Sequence, residues 1–589
     1  MRGSIKGLLV ALALVLVVGT AQAELKNVII MISDGWGQTG LDATAYWHGE
    51  RTEYEADPTW NYCGMTNYMY HEGGESPPYG GGGFVGIYGY DPDLAWNDWF
   101  YMQNYATDSA AAGTAMSTGL KTYKGSIGMG VGDGPGQREP LFHIFSRAEE
   151  LGKATGVITS VQLSHATPAS FVAHNESRNN YAEIAQELIA SDAEVVMGCG
   201  HPNYGEDGQW APGDPGVPGD WKYVGGYDQR NEMTGGMTDW TFMDEKADFE
   251  ALADGTLQAD RVFGVAQAAS TLQFNRSGDS VPYGGNYNTT LPPYHDPMIQ
   301  NVPTLETMTR GALNVLGQDA DGFALMIEGG AIDWAGHARL MGRWIEEQDD
   351  FNNAFQAVVE WVETHSNWNE TLVVVTGDHE TGFLWGDGVD PETPDTWFAP
   401  VADNGAGVVP GFYFYSAPGD NWQNPSGSAG HTNQAIPFFY KGYGSNVLAS
   451  YADEFDPAVG NYLDNTELAL AVFTLFDDPT PILDDDPFEP GMDDEVRSAG
   501  LLYANWPNPV RTTTNIKFDL PNEAHASLEI LDVQGRTVRT LSDQTMSAGT
   551  YSLMWDGTDA NGLRCASGTY WYKLDVNGYV ETKRLTVLQ

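Results

Sequence analysis

Asp34, Glu328, Asp378 and His379 share one placement: each follows or closes a short, strongly apolar run. NVIIMIS (27–33) ends at Asp34-Gly35, FALMIE (323–328) ends in Glu328, and LVVVTG (372–377) runs into Asp378-His379-Glu380. A fourth run, TGVITS (155–160), leads towards Ser164-His165-Ala166-Thr167. Carboxylates and imidazoles gathered at strand ends are the donors of divalent cations. Nitrogen and oxygen ligands without thiolates suit zinc, while an all-oxygen set such as Asp34, Thr167 and Glu328 suits magnesium. Two further pieces fit. AIDWAGHARL sets Asp333 and His337 four residues apart, so a helix presents both on one face. Gly430-His431-Thr432 precedes another apolar run, IPFFY. Alone, an Asp-x3-His pair reads more often as a surface ion pair; the weight lies in the convergence.

The stretch YATDSAAAGTAMSTG places Ser109 where a helix begins. One reading is a cap, in which Ser or Asp accepts a hydrogen bond from the first turn. The other is a nucleophile held at the positive end of a helix, where an anion is favoured. A serine hydroxyl needs a base or a metal to attack. No histidine outside the metal-binding sets has a claim as that base, so metal activation is the better expectation. His48, His71 and His295 fall in Gly- or Tyr-rich stretches and read as exposed loop residues.

These residues need a frame. From residue 24 to about 476, apolar runs alternate with helical patterns, which predicts an α/β domain with a mainly parallel sheet flanked by helices. In such sheets ligands bind beyond the carboxyl ends of the strands. Long polar, aromatic-rich stretches at 46–100, 200–300 and 383–430 read as loop-bearing insertions over one face. Residues 477–500, rich in Asp and Pro, read as an acidic linker. From 501 to 589, TNIKFDL, ASLEILDV, TYSLMWDG, TYWYKLDV and ETKRLTVL alternate polar and apolar residues, predicting a small all-β sandwich.

The chain of 589 residues carries a formal charge of −52, with 80 acidic against 28 basic residues. A broad basic face for nucleic acid is thereby disfavoured. The start, MRGSIKGLLVALALVLVVGTAQA, has a basic head, an apolar core and a small-residue end, predicting a signal peptide over 1–23. No later segment approaches a membrane span. The expectation is an exported protein: periplasmic, cell-surface or extracellular. Cys63, Cys199 and Cys565 make neither a disulfide scaffold nor a thiolate metal site, although Cys63 and Cys199 could pair in an oxidising compartment.

ISDGWG, YATDSAAAGTAMSTG, SHATPASFVAHNESR, IEGGAIDWAGHA, TGDHETG and GHTN, in that order, resemble the alkaline phosphatase family. The resemblance implies hydrolysis of small phosphate monoesters through a phosphoserine, with two Zn2+ ions and one Mg2+. It assigns Asp333, His337 and His431 to one zinc. Asp34, Asp378 and His379 go to the second, beside Ser109, and Asp34, Thr167 and Glu328 to the magnesium. Arg178, in HNESR, matches the family's phosphate-clamping arginine. His165 stands where some members carry Asp, and Trp334 where some carry Lys, positions that bear on product phosphate and the third metal. Family members are commonly homodimers. The tail, from NWPNPVRTTTNIKFDLP to RLTVLQ, resembles the Ig-like C-terminal domains (FlgD-like or sorting-like) of exported bacterial proteins, implying attachment or contact with secretion machinery. The competing readings are a phosphodiesterase or sulfatase of the same superfamily, or a non-catalytic secreted protein keeping the fold. A sulfatase needs C/S-x-P-x-R, whereas Ser109 is followed by three alanines, and a diesterase lacks the third-metal triplet.

Overall fold

The computed structural model describes residues 25–587 apart from 73–84, 88, 97, 99–100, 103–105, 133–137, 216–220, 279–290, 390–398, 416–428, 477–500, 503–513, 521–523, 532–535, 548, 561–562, 567 and 577–578. The expected signal peptide and acidic linker lie outside the described residues.

The first region is built on an eleven-stranded sheet. In chain order its strands are β1 (Asn27–Ser33), β2 (Asn61–Thr66), β3 (Ala154–Gln162), β4 (Val195–Cys199), β5 (Thr241–Met243), β6 (Val262–Val265), β7 (Phe323–Gly329), β8 (Thr371–Thr376), β9 (Ile436–Gly442), β10 (Glu454–Asp456) and β11 (Gly460–Asp464). Their spatial order is β10-β11-β2-β9-β8-β1-β7-β3-β4-β6-β5. From β8 to β5 all neighbours are parallel. β9 runs antiparallel to both β8 and β2.

The central strands are apolar throughout because both faces are covered, as parallel sheets require. Alternation then sorts their side chains into two cores. Ile29, Met31, Leu325, Ile327, Val373 and Val375 point into one. Val28, Ile30, Ile32, Met326, Leu372 and Val374 point into the other. The helices that matter to the site are α1 (Ser109–Thr118), α2 (Ala166–Ala169), α3 (Leu305–Leu316), α4 (Ala331–Ala338), α5 (Met341–His365) and α6 (Asn465–Leu475). α3 and α5 supply the first core, α1 and α6 the second. The mainly parallel α/β expectation therefore holds.

Three expectations need correction. The stretches 46–100 and 200–300 are not only loops, since they contribute β2, β5 and β6 to the sheet. Their strands are short and carry little apolar alternation, so the sequence hides them. Cys63 and Cys199 do not pair: both are free and buried. Cys63 lies on β2 in one core and Cys199 on β4 in the other, with five strands between them. At about 4.8 Å per strand this far exceeds disulfide reach. Finally, His71 is buried at 4% exposure in a short strand rather than displayed on a loop. His48 is exposed but ends a helix, 2.6 Å from Asp349.

The tail is all-β and antiparallel, as expected. One sheet orders Leu501–Leu502, Thr514–Leu520 and Gly549–Trp555. The other orders Thr537–Met546, Ala524–Leu531, Gly568–Val576 and Tyr579–Val587. The inward residues, among them Ile516, Phe518, Leu528, Ile530, Trp555 and Tyr572, form a core of their own.

Candidate metal centre

Strand register fixes the height of the acidic groups. Ile32 on β1 pairs with Glu328 on β7 and with Thr376 on β8. Asp34 and Asp378, each two residues farther on, therefore emerge at one level beside Glu328. The turn at Gly35 is forced: its φ is +79°, and a Cβ there would sit 2.7 Å from Asp333 Cα. Only glycine allows both. The Gly35 N–H in turn donates to Asp378 Oδ1 at 3.1 Å, locking two strand ends together.

Two clusters result, each able to bring its donor atoms within 4.8 Å of one another: Asp34, Asp378 and His379, and Asp333, His337 and His431. In the first, His379 Nε2 lies 3.1 Å from Asp378 Oδ2 and 3.6 Å from Asp34 Oδ1. In the second, Nε2 of His337 and Nε2 of His431 face each other at 3.0 Å. Both also face Asp333 Oδ1, at 3.3 and 3.4 Å. Their Nδ1 atoms are directed elsewhere, His337 to the Ala429 carbonyl and His431 to the Thr107 carbonyl at 2.8 Å. With Nδ1–H donating to a carbonyl, each imidazole presents its Nε2 lone pair inward, the orientation a ligand needs. The short pairing of Glu380–Thr381 with His431–Thr432 holds both ligand loops in register.

Glu328 accepts from Thr159 and neighbours Asp34 and Thr167. Asp34 Oδ1, Thr167 Oγ1, Glu328 Oε1 and Asp378 Oδ2 are buried without a hydrogen-bond partner among the described residues. Burial first, then repulsion from Asp378, Asp333 and Glu328, pushes the Asp34 carboxyl well above its usual range. Burial likewise raises Asp378 and Glu328. Burial would raise Asp333 too, but His337 and His431 outweigh it and hold it low. His379 is kept neutral by burial and by the neighbouring His431. Burial lowers His337, whereas Asp333 and the Thr107 carbonyl outweigh burial and raise His431. Crowded carboxylates, orphaned oxygens and imidazole nitrogens aimed inward form a donor set that divalent cations satisfy.

Ser109 is the first residue of α1, buried at 3% exposure, with its Oγ 3.3 Å from His379 Nε2. The cap of the helix is Asp108, whose Oδ1 accepts from the Ala111 and Gly125 N–H groups. Asp108 Oδ2 also takes a 2.8 Å hydrogen bond from Arg178. Burial would raise the Asp108 carboxyl, but Arg178 and these N–H donors outweigh it and hold it down. Ser109 is thereby released from capping. α1 can lie against α2 because residue 113 is glycine, where a Cβ would meet Ser170 Oγ at 2.2 Å. That close approach sets Thr167 beside the cluster. His165 meets Trp334 edge-on, ring centroids 5.9 Å apart, so the two departures from the family pattern are neighbours.

Asp34, Asp378 and His379 thus gather beside Ser109; Asp333, His337 and His431 form the second cluster; Glu328 neighbours Asp34 and Thr167; and Arg178 sits on Asp108. Thr381, the carbonyls of Thr107 and Ala429, and the tie between Asp108 and Arg178 were missed. Asp108 carries a detectable signal, an Asp before an Ala-rich run. Thr381, which donates to Asp333 at 2.5 Å, carries none.

A mainly parallel α/β sheet with two candidate metal-binding clusters and a buried serine at a helix N-terminus defines the site. The family model described as alkaline phosphatase matches residues 92–418, and one described as FlgD Ig-like domain matches 509–578. The chain belongs to the alkaline phosphatase family, with an Ig-like domain following. It is 29% identical over 368 residues to alkaline phosphatase 3 of Bacillus subtilis (strain 168), covering 61% of this chain and 62% of that one. It is 28% identical over 384 residues to the alkaline phosphatase of Escherichia coli (strain K12), covering 60% and 70%. The chain thus spans about 62% of the length of the Bacillus relative. The crystal structure of Thermus thermophilus alkaline phosphatase shares the fold, with a TM-score of 0.50 at 20% identity over 80% of this chain and 96% of that one. Asp34 and His431 fall outside the family match, and the fold brings them to the site.

Proposed function

We propose that this chain hydrolyses phosphate monoesters through a phosphoserine at Ser109, with two Zn2+ ions and one Mg2+ as cofactors. The observation that carries the reading is the pair of carboxylate–imidazole clusters flanking a serine that Asp108 has freed from capping. Asp333, His337 and His431 would hold one zinc; Asp34, Asp378 and His379 would hold the other; Asp34, Thr167 and Glu328 would hold the magnesium. Bound there, the cations supply Lewis-acid stabilisation of the attacking and leaving oxygens.

Ser109 Oγ forms a bond to phosphorus as the bond to the ester oxygen breaks, and the alcohol departs with a proton. Water then cleaves the Ser109 phosphoester, regenerating the hydroxyl and releasing phosphate. Arg178, held by Asp108, keeps part of its guanidinium fork for the phosphoryl oxygens. The N-terminus of α1 adds dipolar attraction for the anion. His165 and Trp334 border the same space and would bear on phosphate and the third ion.

Substrate choice is proposed as small monoesters, with homodimers as in the family. Export, to periplasm, cell surface or medium, is proposed from the N-terminal pattern, and surface attachment or sorting from the Ig-like tail. No helix among the described residues is long and apolar enough to cross a membrane.

Purified protein is to be offered p-nitrophenyl phosphate, its bis-ester and p-nitrophenyl sulfate. The monoester alone is expected to turn over well, chelation to abolish turnover, zinc to restore it and magnesium to raise it further. Asp333→Ala or His431→Ala should lose zinc, and Glu328→Ala mainly the magnesium effect. Full activity in metal-free protein, or preference for the bis-ester or sulfate, overturns the reading.

A further inference from the structure

His337 and His431 each direct Nδ1 at a backbone carbonyl. For His379 the group facing Nδ1 is instead the Thr381 hydroxyl, at 3.3 Å. The same Oγ1 lies 2.5 Å from Asp333 Oδ1, so one side chain touches a ligand of each cluster. Thr381 is buried at 1% exposure, and its backbone reaches both clusters as well. Its N–H donates to the Gly35 carbonyl at 3.1 Å, next to Asp34, and it pairs with His431 in the short ladder. Two glycines leave the side chain its room. A Cβ at Gly35 would come within 2.9 Å of Thr381 Oγ1, and one at Gly336, beside His337, within 3.2 Å of Cγ2.

A threonine hydroxyl has one proton, and an ionised carboxylate only accepts. With the Thr381 proton directed at Asp333, Oγ1 can meet His379 only as an acceptor. The imidazole proton must then sit on Nδ1. The Nε2 lone pair is left facing Asp378 Oδ2 at 3.1 Å, Ser109 Oγ at 3.3 Å and Asp34 Oδ1 at 3.6 Å. We propose that Thr381 is the positioning residue shared by the two clusters: its hydroxyl accepts from His379 Nδ1–H and donates to Asp333, fixing one ligand of each. The assignment rests on the metal-dependent reading above and adds that both ions depend on a single side chain. Outer hydrogen bonds of this kind fix the tautomer and direction of a ligand, and removing one lowers metal affinity by about ten- to hundredfold. Without the hydroxyl, His379 is free to carry its proton on Nε2, where it opposes a cation, and Asp333 is free to turn.

The test uses the zinc-loaded full chain and two variants: Thr381→Val, which keeps the shape and drops the hydroxyl, and Thr381→Ser, which keeps the hydroxyl. Competition with a chromogenic chelator reads how many zinc ions are held and how tightly, independently of turnover. Valine should weaken both ions by about ten- to hundredfold, and serine should stay within about threefold of the unmodified chain. Thr381→Ala, which cannot crowd the two glycines, takes the place of valine if that variant does not fold, with the same expected loss. Weakening of one ion alone, a loss in serine equal to that in valine, or no loss in valine overturns the proposal. If the unmodified chain holds fewer than two zinc ions, the metal reading itself has failed and the role of Thr381 falls with it. If all three forms hold two ions equally tightly, only the role of Thr381 falls.

Discussion

Ser109→Ala removes the oxygen that would carry the phosphoryl group while leaving Asp108 to cap α1. The fold and bound metal are therefore expected to persist, turnover to fall by orders of magnitude, and the acid-trapped phosphoprotein to vanish. Label retained on another residue contradicts the assignment. A second residue-scale expectation concerns Glu347 on α5, buried at 4% exposure with no hydrogen-bond partner for Oε1 among the described residues. Burial, then the nearby Asp350 and Glu346, pushes its pKa from 4.5 up to about 8. The folded chain thus holds a proton that the unfolded chain has released throughout that window. The contribution of Glu347 to stability therefore falls as pH rises from 4.5 towards about 8 and then levels off. Glu347→Gln mimics the protonated acid and has no proton to lose. Its stability relative to the unsubstituted chain should climb by on the order of 3 kcal/mol between about pH 5 and about pH 9. Denaturant unfolding across that range measures it; a difference that does not change with pH removes Glu347 as the cause.

At the scale of elements, α1 depends on one side chain for three purposes: Asp108 caps it, ties it to Gly125 and anchors Arg178. Asp108→Asn keeps an amide oxygen for the cap and loses the charge opposite Arg178. Asp108→Ala loses both. Stability should drop by about 1 kcal/mol or more for alanine and less for asparagine. Phosphate inhibition should weaken in both, because the guanidinium loses its anchor. If asparagine leaves phosphate affinity unchanged, the ion pair does not position Arg178. Elements also mark how far the sequence could be read. Runs such as NVIIMIS and LVVVTG were legible because strands buried on both faces must be continuously apolar, and they led straight to Asp34 and Asp378. NYCGMT was not, since β2 is exposed at its start and carries a cysteine, a glycine and a threonine. The metal clusters were legible as residue types at strand ends, whereas their tautomer control was not. The Thr107 and Ala429 carbonyls that orient His431 and His337 belong to the backbone, and only the fold brings them near. The Asp108 cap was half legible: the pattern located a cap but left Asp and Ser as alternatives, which geometry resolved.

For the whole molecule the governing quantity is charge. The chain carries −52, yet residues 501–589 hold 8 Lys/Arg and 9 Asp/Glu, so nearly all the excess lies upstream of the tail. Divalent cations would neutralise the buried carboxylates of the site, but not the acidic groups spread over the rest of the α/β region. Those repel one another more strongly in the compact state than in the expanded chain. Raising ionic strength shortens the Debye length from about 30 Å at 0.01 M to about 3 Å at 1 M and should relieve that repulsion. The tail is near neutral and has its own core, so salt has little to relieve there. The expectation is a differential response within one molecule: between low and molar NaCl the α/β region gains thermal stability, and the Ig-like sandwich changes much less. Hydrogen exchange read by mass spectrometry along a temperature series separates the two regions by peptide in the intact chain. Divalent-cation concentrations must be held constant, because losing any bound ion would itself lower the melting temperature. Equal shifts in both regions would mean that salt acts through general hydrophobic strengthening rather than through charge. An α/β region that opens earlier in molar NaCl would mean that its ion pairs, such as the buried Arg276–Glu346 contact at 2.7 Å, outweigh the repulsion.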